Sequence, residues 1–211
     1  MTRIIVYVEG ESDKLGLEAL LRDLKRQLGQ QGVSLRFIPA GSKSDLVQRQ
    51  PRRAARILAE DPDAIVVLVP DLYPADQGGQ HRTPEALSQL TEGFLQRAVR
   101  EIGASEQSCR HRFKTFCFKH DFESLLLAAQ EQLAGRLRCA LNRTWSARVE
   151  DQDFDHPPKS IVDELFLRHL GRHYTATADA PLILASADYR ALAAACPQCF
   201  APFVAFLESF L

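Results

Sequence analysis

The amino-acid sequence predicts an α/β fold, in which an open, mostly parallel sheet is flanked by helices and followed by a helical C-terminal portion. Three observations lead to this prediction. Strand and helix patterns alternate through about residue 135, as expected for parallel strands joined by right-handed crossovers. Residues 64–73, AIVVLVPDLY, contain an apolar run without alternation, which indicates a central strand buried on both faces. Helical patterns replace strand patterns after residue 136.

The first elements are a strand, a helix and a second strand. Residues 3–8, RIIVYV, are short, β-branched and aromatic, which favours a buried strand. Leucines at helical spacing across residues 17–28 predict an amphipathic helix, and Ser12 is the expected N-cap. Residues 33–41, VSLRFIPAG, predict the second strand, which ends in a loop.

The elements that follow have clear start signals. Pro51 stands where the first turn of the next helix is expected, since proline is favoured there. Thr83 followed by proline and glutamate predicts a helix start, and that helix is expected to run to about Ile102. Residues 112–120, RFKTFCFKH, predict a fourth strand, and Asp121 is expected to cap the helix after it.

Length and composition place the chain among ordinary globular proteins. The 211 residues suffice for one sizeable core, and we predict an α/β core over 1–135 with a mainly helical portion, 136–211, packed on it in one compact domain. No apolar run approaches the roughly 18 to 20 residues of a membrane span. The N-terminus reads as a core strand and lacks signal-peptide features. A cytoplasmic protein without membrane contact is therefore expected.

Cysteine usage and charge exclude two further classes. The five cysteines are scattered, which argues against a secreted disulfide framework. The isolated pair Cys196 and Cys199 lacks the further ligands of a zinc site, so a structural role is expected. A net charge of -1 provides no global basic field, and any contact with nucleic acid has to be local.

Three carboxylates stand where a ligand site is expected. Glu9 follows the first strand, Asp71 follows the central strand, and Glu123 lies one helical turn past the fourth. In an open α/β sheet, ligands bind outside the carboxyl ends of the strands. Carboxylate oxygens suit Mg²⁺ or Mn²⁺, and such an ion can activate water against a phosphodiester. These positions therefore suggest a metal site.

A simpler interpretation exists for acids in these places. Carboxylates favour helix N-termini electrostatically, and this accounts well for Glu11 and Asp13. It accounts less well for Glu9 and Asp71, because both follow strands that look central, where an unpaired charge is costly. From spacing alone, a metal site and a set of helix-start acids are about equally supported.

Five segments resemble known families. VEGESDK at 8–14 resembles the first motif of the Toprim fold, in which a strand-end glutamate precedes a glycine, and VLVPDLY at 67–73 resembles its central motif. KHDFESLLLA at 119–128, HPPKSI at 156–161 and the closing 196–211 are similar to the Toprim-like family DUF4276. The ordered set covers nearly the whole chain and is more specific than any one motif.

The resemblance implies a Toprim-like (Rossmann-like) fold and a metal-dependent nuclease related to those of OLD type, which are thought to act beside an ATPase in defence against phage. Glu9 would be the acid and metal-orienting group, Asp71 a ligand of Mg²⁺ or Mn²⁺, and Glu123 would complete the cluster with His120. Asp13 would support these ligands without binding the metal itself.

One position departs from the Toprim pattern. The central motif is usually Asp-x-Asp, and Tyr73 occupies the second place. Tyrosine is a poor ligand for Mg²⁺, so two-metal catalysis is in doubt. Asp76 could supply the missing carboxylate if the loop turns back, and Tyr73 would then only support the site.

Basic residues near these motifs are candidates for phosphate contact. They are Lys43, Arg52, Arg53, Arg56, Arg112, Lys114 and Lys159. For the three arginines at 52, 53 and 56, a solvated helix face is an equally good explanation. The expected partners are nucleic acid, with DNA favoured over RNA, and an ATPase, while homo-oligomerisation is left open.

The alternative to a nuclease is an interaction subunit that has lost catalysis. Tyr73 would then mark the loss, and the aromatic C-terminus would form a docking surface. That surface would consist of Phe200, Phe203, Phe206 and Phe210. The same spacing is also that of a buried helix.

Overall fold

Four parallel strands form one sheet in the described part of the chain. The structure is a computed structural model that describes residues 1–73, 83–141, 148–151 and 156–211. The strand order is β2-β1-β3-β4, and all neighbours are parallel. The strands are β1 (Thr2–Val8), β2 (Val33–Pro39), β3 (Ala64–Val69) and β4 (Phe113–Thr115). The predicted α/β fold is confirmed.

Helices occupy most of the remaining described residues. They are α1 (Glu11–Leu20), α2 (Arg22–Gln30), α3 (Gln50–Glu60), α4 (Pro84–Glu101), α5 (Glu106–His111), α6 (Ser124–Ala128), α7 (Gln130–Leu137), α8 (Pro158–Leu170), α9 (Ala176–Leu184), α10 (Tyr189–Ala195) and α11 (Phe200–Glu208). A π-helical turn, Asp45–Arg49, leads into α3. None of the described helices is both long and apolar enough to cross a membrane.

The sheet separates two hydrophobic layers. On one face, Ile4 and Val6 of β1 pack with α1, α2 and the C-terminal helices, including Phe166 of α8. On the other face, Tyr7 and Val66 pack with α3 and α4. The C-terminal helices thus share a core with the strands, while a division of the chain after residue 135 stays a prediction.

The aromatic C-terminal helix belongs to the core. Phe200 and Phe203 of α11 are each 1% exposed, and Phe206 and Phe210 pack partly buried against the same cluster. The Phe116 ring lies 5.4 Å from that of Phe206 between centroids. Phe200 and Phe203 therefore do not form a docking surface, because they are buried in this core, while a docking role for Phe206 and Phe210 stays a prediction.

Several predicted helix boundaries need correction. The helix expected across residues 17–28 divides at Leu21, where φ is -95° and ψ is 16°. The residue that caps α1 is Gly10 rather than Ser12: the Gly10 N–H donates to Asp13 at 3.1 Å. An acid at the third helical position can reach back to the cap in this way, so the predicted helix-start role of Asp13 is confirmed.

The fourth strand is shorter than predicted and ends at Thr115 rather than residue 120. Pro70 has no N–H and cannot continue the ladder from the β3 side. Pairing resumes beyond it, where the Phe118 N–H donates to the Pro70 carbonyl at 3.1 Å and the Leu72 N–H donates to the Phe118 carbonyl at 2.7 Å. The extended segment after β4 therefore still follows β3 to its tip.

Candidate metal site at the strand tips

The tips of the two central strands are tied together by a side chain. Glu9 directly follows β1, and its Oε1 accepts a hydrogen bond from the Asp71 N–H at 2.9 Å. Asp71 also forms a bridge with Phe118 on the segment after β4. Since β1 and β3 are parallel neighbours, their carboxyl ends meet at one edge of the sheet. This explains why Glu9 and Asp71 lie close together, as predicted.

The segment after β4 brings two more acids to this edge. Asp121 and Glu123 flank Phe122, and Glu123 is only 4% exposed. The predicted cap role of Asp121 is wrong, because α6 begins at Ser124 with Glu123 as its N-cap residue. Asp121 Oδ2 instead accepts from the Lys159 N–H at 3.2 Å, and its Oδ1 is buried without a hydrogen-bond partner.

Five carboxylates influence one another electrostatically, and we refer to them as the acid cluster. Burial raises the pKa of Asp71 well above its usual range, and the charges of the other four members raise it further. The acid cluster consists of Glu9, Asp13, Asp71, Asp121 and Glu123. Like charges held close together in a buried place favour protons or a cation between them.

The pKa values of the outer acids follow the same physics. Burial and the nearby Asp121 carboxylate raise the pKa of Glu123 to about 7. Burial likewise raises the pKa of Asp121 to about 6, against the opposing effect of its hydrogen bond from the Lys159 N–H. Burial also raises the pKa of Asp13, although its hydrogen bond with Gly10 opposes the rise.

Lys159 and Tyr174 border the acid cluster from the C-terminal part of the chain. Lys159 lies in the first turn of α8, and its charge lowers the pKa values of three members of the cluster. The Tyr174 hydroxyl is buried, and its pKa is raised by burial and then by the Glu123 carboxylate beside it. One cation on α8 and one phenol in the loop between α8 and α9 therefore lie beside the acids.

Tyr73 and His120 pack against each other just beyond the end of β3. Their ring centroids are 5.5 Å apart, and the Tyr73 N–H donates to the Lys119 carbonyl at 3.1 Å. His120 is 7% exposed. Tyr73 thus packs against the neighbouring segment, and Asp76, the predicted substitute ligand, lies outside the described residues.

The acid cluster has the donor chemistry of a site for a divalent cation. Carboxylate oxygens suit Mg²⁺ or Mn²⁺, and the unpartnered Oδ1 of Asp121 is a buried acceptor. Among the residues that the structure describes, no group of three or more His, Cys, Asp or Glu side chains is already arranged to hold a metal ion. The residues present therefore fit such an ion by the chemistry and charge of their side chains, although their ligand atoms are not yet arranged around one point.

The predicted phosphate contacts divide into two groups. The Lys43 ammonium donates to the Leu72 carbonyl at 3.2 Å, which places it at the end of β3 close to the acids. Arg52, Arg53 and Arg56 are exposed on α3, whose first turn begins at the same end of the sheet.

Arg112 has a structural role that the sequence does not reveal. Its guanidinium donates to the carbonyls of Leu58, Asp61 and Ala64 at 2.6 to 3.1 Å. These groups lie where β3 begins, at the opposite end of the sheet from the acid cluster. The prediction that Arg112 contacts phosphate does not agree with this placement, whereas Lys114 is exposed on β4.

The family of the chain follows from its sequence as a whole. A model of the family described as "Domain of unknown function (DUF4276)" matches residues 8–208. The chain belongs to the DUF4276 family. The predicted membership is confirmed over nearly the whole length, and both central-strand acids lie within the match.

Solved structures show the same fold at low sequence identity. The C-terminal region of the Burkholderia pseudomallei OLD protein is 16% identical, with a TM-score of 0.51 over 99% of this chain and 98% of that chain. The C-terminal region of the Xanthomonas campestris pv. campestris OLD protein is 14% identical, with a TM-score of 0.50 over 99% and 97%. This DUF4276 protein therefore shares their fold. No curated protein matches it.

Asp121 is the member of the acid cluster that sequence reasoning assigned to the wrong role. Its position before a helix suggested a cap, but the DUF4276 fold turns it toward Lys159, 38 residues away. A signal was present in the sequence, since Asp121 and Glu123 stand two residues apart directly after a strand. Two acids so close together at the end of a predicted strand would both lie near the carboxyl edge of the sheet, where ligands bind.

Proposed function

We propose that this DUF4276 protein is a metal-dependent phosphodiesterase that cleaves nucleic acid, with DNA favoured. The observation that carries the proposal is the convergence of acids from three separate segments, close enough that burial and four neighbouring carboxylates raise the pKa of Asp71. A fold-stabilising purpose would not concentrate charge of one sign at a buried strand tip, since that arrangement costs stability.

Glu9, Asp71 and Glu123 would hold the ion, and Asp121 offers a further oxygen. A bound Mg²⁺ or Mn²⁺ would supply an activated water and neutralise charge that builds up on the phosphodiester. The chain's own contribution is position: the hydrogen bond from the Asp71 N–H fixes Glu9, and the Lys159 N–H fixes Asp121. The Lys159 ammonium would face a phosphate oxygen beside the acids.

The biological setting is proposed from the resemblance to OLD-type nucleases. We infer that the protein acts as the effector of a bacterial defence system together with an ATPase. A net charge of -1 supports a requirement for a partner, because phosphate affinity depends on local cations alone. Cleavage of plasmid DNA by the purified chain, with and without a candidate ATPase partner, tests this setting.

The metal site is tested by calorimetric titration of Mn²⁺. Wild-type protein is expected to bind the ion saturably, and Glu9→Gln and Asp71→Asn are expected to abolish binding. Glu11→Gln is the matched control, because Glu11 lies on the same helix start but is exposed and paired with Lys14 at 2.7 Å. Wild-type protein that binds no Mn²⁺, or acid-cluster variants that bind as well as the control, would refute the proposal.

A further inference from the structure

One face of β2 is covered by helices only in part: Ile38 packs against the α3 layer, but Arg36 is exposed. Ser34, Arg36 and Ile38 point toward the α3 side of the sheet, because the alternating residues are buried on the other side with α1 and α2. Those buried residues are Val33, Leu35 and Phe37. Arg36 is exposed and Ile38 is only partly buried. Both faces of a parallel sheet are normally covered. The partly exposed face of β2 beside α3, formed by Ser34, Arg36 and Ile38, is called the open floor below.

The side of α3 that borders this floor carries arginines. Burial raises the pKa of Tyr7 on β1, and the nearby Arg53 charge opposes the rise. Tyr7 is in register with Ile38, so Arg53 lies beside the open floor. α3 runs from the carboxyl ends of the strands toward their amino ends, and Arg56 follows Arg53 by about one turn. Arg56 therefore lies near the level of Arg36, which precedes Ile38 by two residues on β2.

Four arginines lie around this floor. We call Arg36, Arg52, Arg53 and Arg56 the basic strip, and none of them forms an ion pair with any residue in the described ranges. Elsewhere arginine charges are commonly neutralised: Arg49, just before α3, pairs with Asp45 at 2.9 Å, and Arg110 pairs with Glu92 at 3.2 Å. In a chain with a net charge of -1, these four guanidinium groups form a local concentration of positive charge.

We infer that the basic strip binds the sugar–phosphate backbone of the nucleic acid and leads it toward the strand tips. Guanidinium groups donate in a fixed fork that matches phosphate oxygens, and a polyanion supplies many such groups in a row. Lys43 stands between the strip and the acid cluster, in the loop from β2 to α3, with its ammonium on the Leu72 carbonyl. The positive residues thus continue from the open floor to the candidate site.

A second copy of this chain would place basic strip against basic strip, and like charges would repel. Nucleic acid therefore fits this surface better than a homodimer partner does. The inference deepens the proposed function and rests on it for the identity of the polyanion. Binding can nevertheless be measured without cleavage, because EDTA removes divalent cations while the arginines keep their charge.

The test measures the affinity of the full chain for a fluorescein-labelled 20-base-pair DNA duplex in EDTA at several NaCl concentrations. Arg53→Gln/Arg56→Gln removes two charges from the basic strip. We expect its Kd at 0.1 M NaCl to rise by about tenfold or more. The slope of log K against log salt should shrink by about 1.8, since each phosphate that is no longer neutralised lowers it by about 0.9.

Arg22→Gln/Arg168→Gln is the control, because it removes the same charge from exposed arginines on α2 and α8, across the sheet from the strip. Its slope should equal that of the wild type. Equally weakened binding in both double variants, or no duplex binding by the wild type at 50 mM NaCl, would overturn the inference. So would a dimer in light scattering that is absent only from the strip variant.

Titration of Mn²⁺ into the strip variant separates this inference from the proposed function. Its metal binding should match the wild type, because the arginines lie outside the acid cluster. Loss of Mn²⁺ binding in Asp71→Asn without loss of duplex binding would support both ideas. Wild-type protein that binds the duplex but no Mn²⁺ would refute the proposed function, while the inference that the basic strip binds nucleic acid would still hold.

Discussion

Gly16 of α1 lies directly against the ring of Phe122. A β-carbon on Gly16 would be 2.2 Å from the tip of that ring, a distance that no packed side chain tolerates. Phe122 stands between Asp121 and Glu123, and α1 carries Asp13 near its start. The close approach of these two residues therefore sets how near the acids of the two segments come to one another.

Gly16→Ala is expected to destabilise the protein. Alanine favours a helix over glycine by about 1 kcal/mol, but overpacking against a buried aromatic ring costs about 1 to 3 kcal/mol. We expect a net loss of stability in urea unfolding and weaker Mn²⁺ binding, since Phe122 must move. Gly29→Ala in α2 is the control, because the new β-carbon would meet no other part of the protein within 4 Å outside its own helix backbone, and it should be neutral or stabilising. A stabilised Gly16→Ala would show that Phe122 yields easily.

The acid cluster should make the metal-free protein less stable as pH rises. Glu123 has an ordinary pKa of 4.5 that is raised to about 7 in the fold by burial and Asp121. Below pH 4.5 it is neutral in both the folded and unfolded chains, so nothing is lost. As pH rises from 4.5 to 7 the unfolded chain ionises first, and stability falls.

Glu123→Gln should therefore stabilise the protein in EDTA at pH 8, by at most about 3 kcal/mol, and change little at pH 4.5. Thermal unfolding at both pH values measures the difference, with the exposed Glu131→Gln as control. Equal effects of Glu123→Gln at the two pH values would contradict the raised pKa. With Mn²⁺ present the wild type should gain stability that this variant does not.

Asp179 should show the opposite pH dependence. It is 0% exposed and accepts from Arg136 at 2.6 Å and from Arg172 at 2.7 Å. Burial disfavours its charge, but the hydrogen bonds from Arg172, Arg136 and the Thr175 N–H prevail and lower its pKa to about 2. The ion pair stabilises the fold above pH 4, and this contribution disappears as pH falls from about 4 to 2.

Asp179→Asn is expected to cost about 2 kcal/mol at pH 7, with the gap to wild type closing as the pH approaches 2. Chemical unfolding at several pH values measures the gap. Asp23→Asn is the control, since Asp23 pairs with Arg26 on the surface at 62% exposure and such pairs contribute about 0 to 1 kcal/mol. A gap independent of pH would argue against a charged Asp179.

Glu150 should be important for the start of the last helix. Its carboxylate is buried and accepts from the N–H groups of Gln198, Cys199 and Phe200 at 2.7 to 3.3 Å, where α11 begins. Glu150→Ala would leave these donors without partners, at about 1 to 3 kcal/mol for each one that stays buried. We expect a marked fall in Tm, whereas the exposed Glu164→Ala should change it little. Comparable effects of the two variants would show that water replaces the carboxylate.

Local physics made much of the fold predictable. The unbroken apolar run in β3 indicated burial on both faces, and Thr83 begins α4 as expected, accepting from the Ala86 N–H at 3.2 Å. Where a single residue changes the ladder, prediction failed: Pro70 interrupts the pairing of β4 with β3. The proline is visible in the sequence, but the strand that lies next to it is not.

The candidate site was predictable only in part, because its remaining features depend on long-range contacts. The strand-end positions of Glu9 and Asp71 indicate one edge of the sheet. The role of Asp121 depends on Lys159, and that of Arg112 depends on carbonyls about 50 residues before it. Neither contact leaves a mark in the spacing of residues along the chain.

The acid cluster draws its members from positions 9, 13, 71, 121 and 123, so no continuous segment of the chain contains it. A fragment would keep individual carboxylates with ordinary acidities and lose their mutual repulsion. An ion that binds all of them would recognise only the assembled sheet edge and would oppose its unfolding by mass action. Folding would then create the binding site, and occupancy would in turn protect the fold.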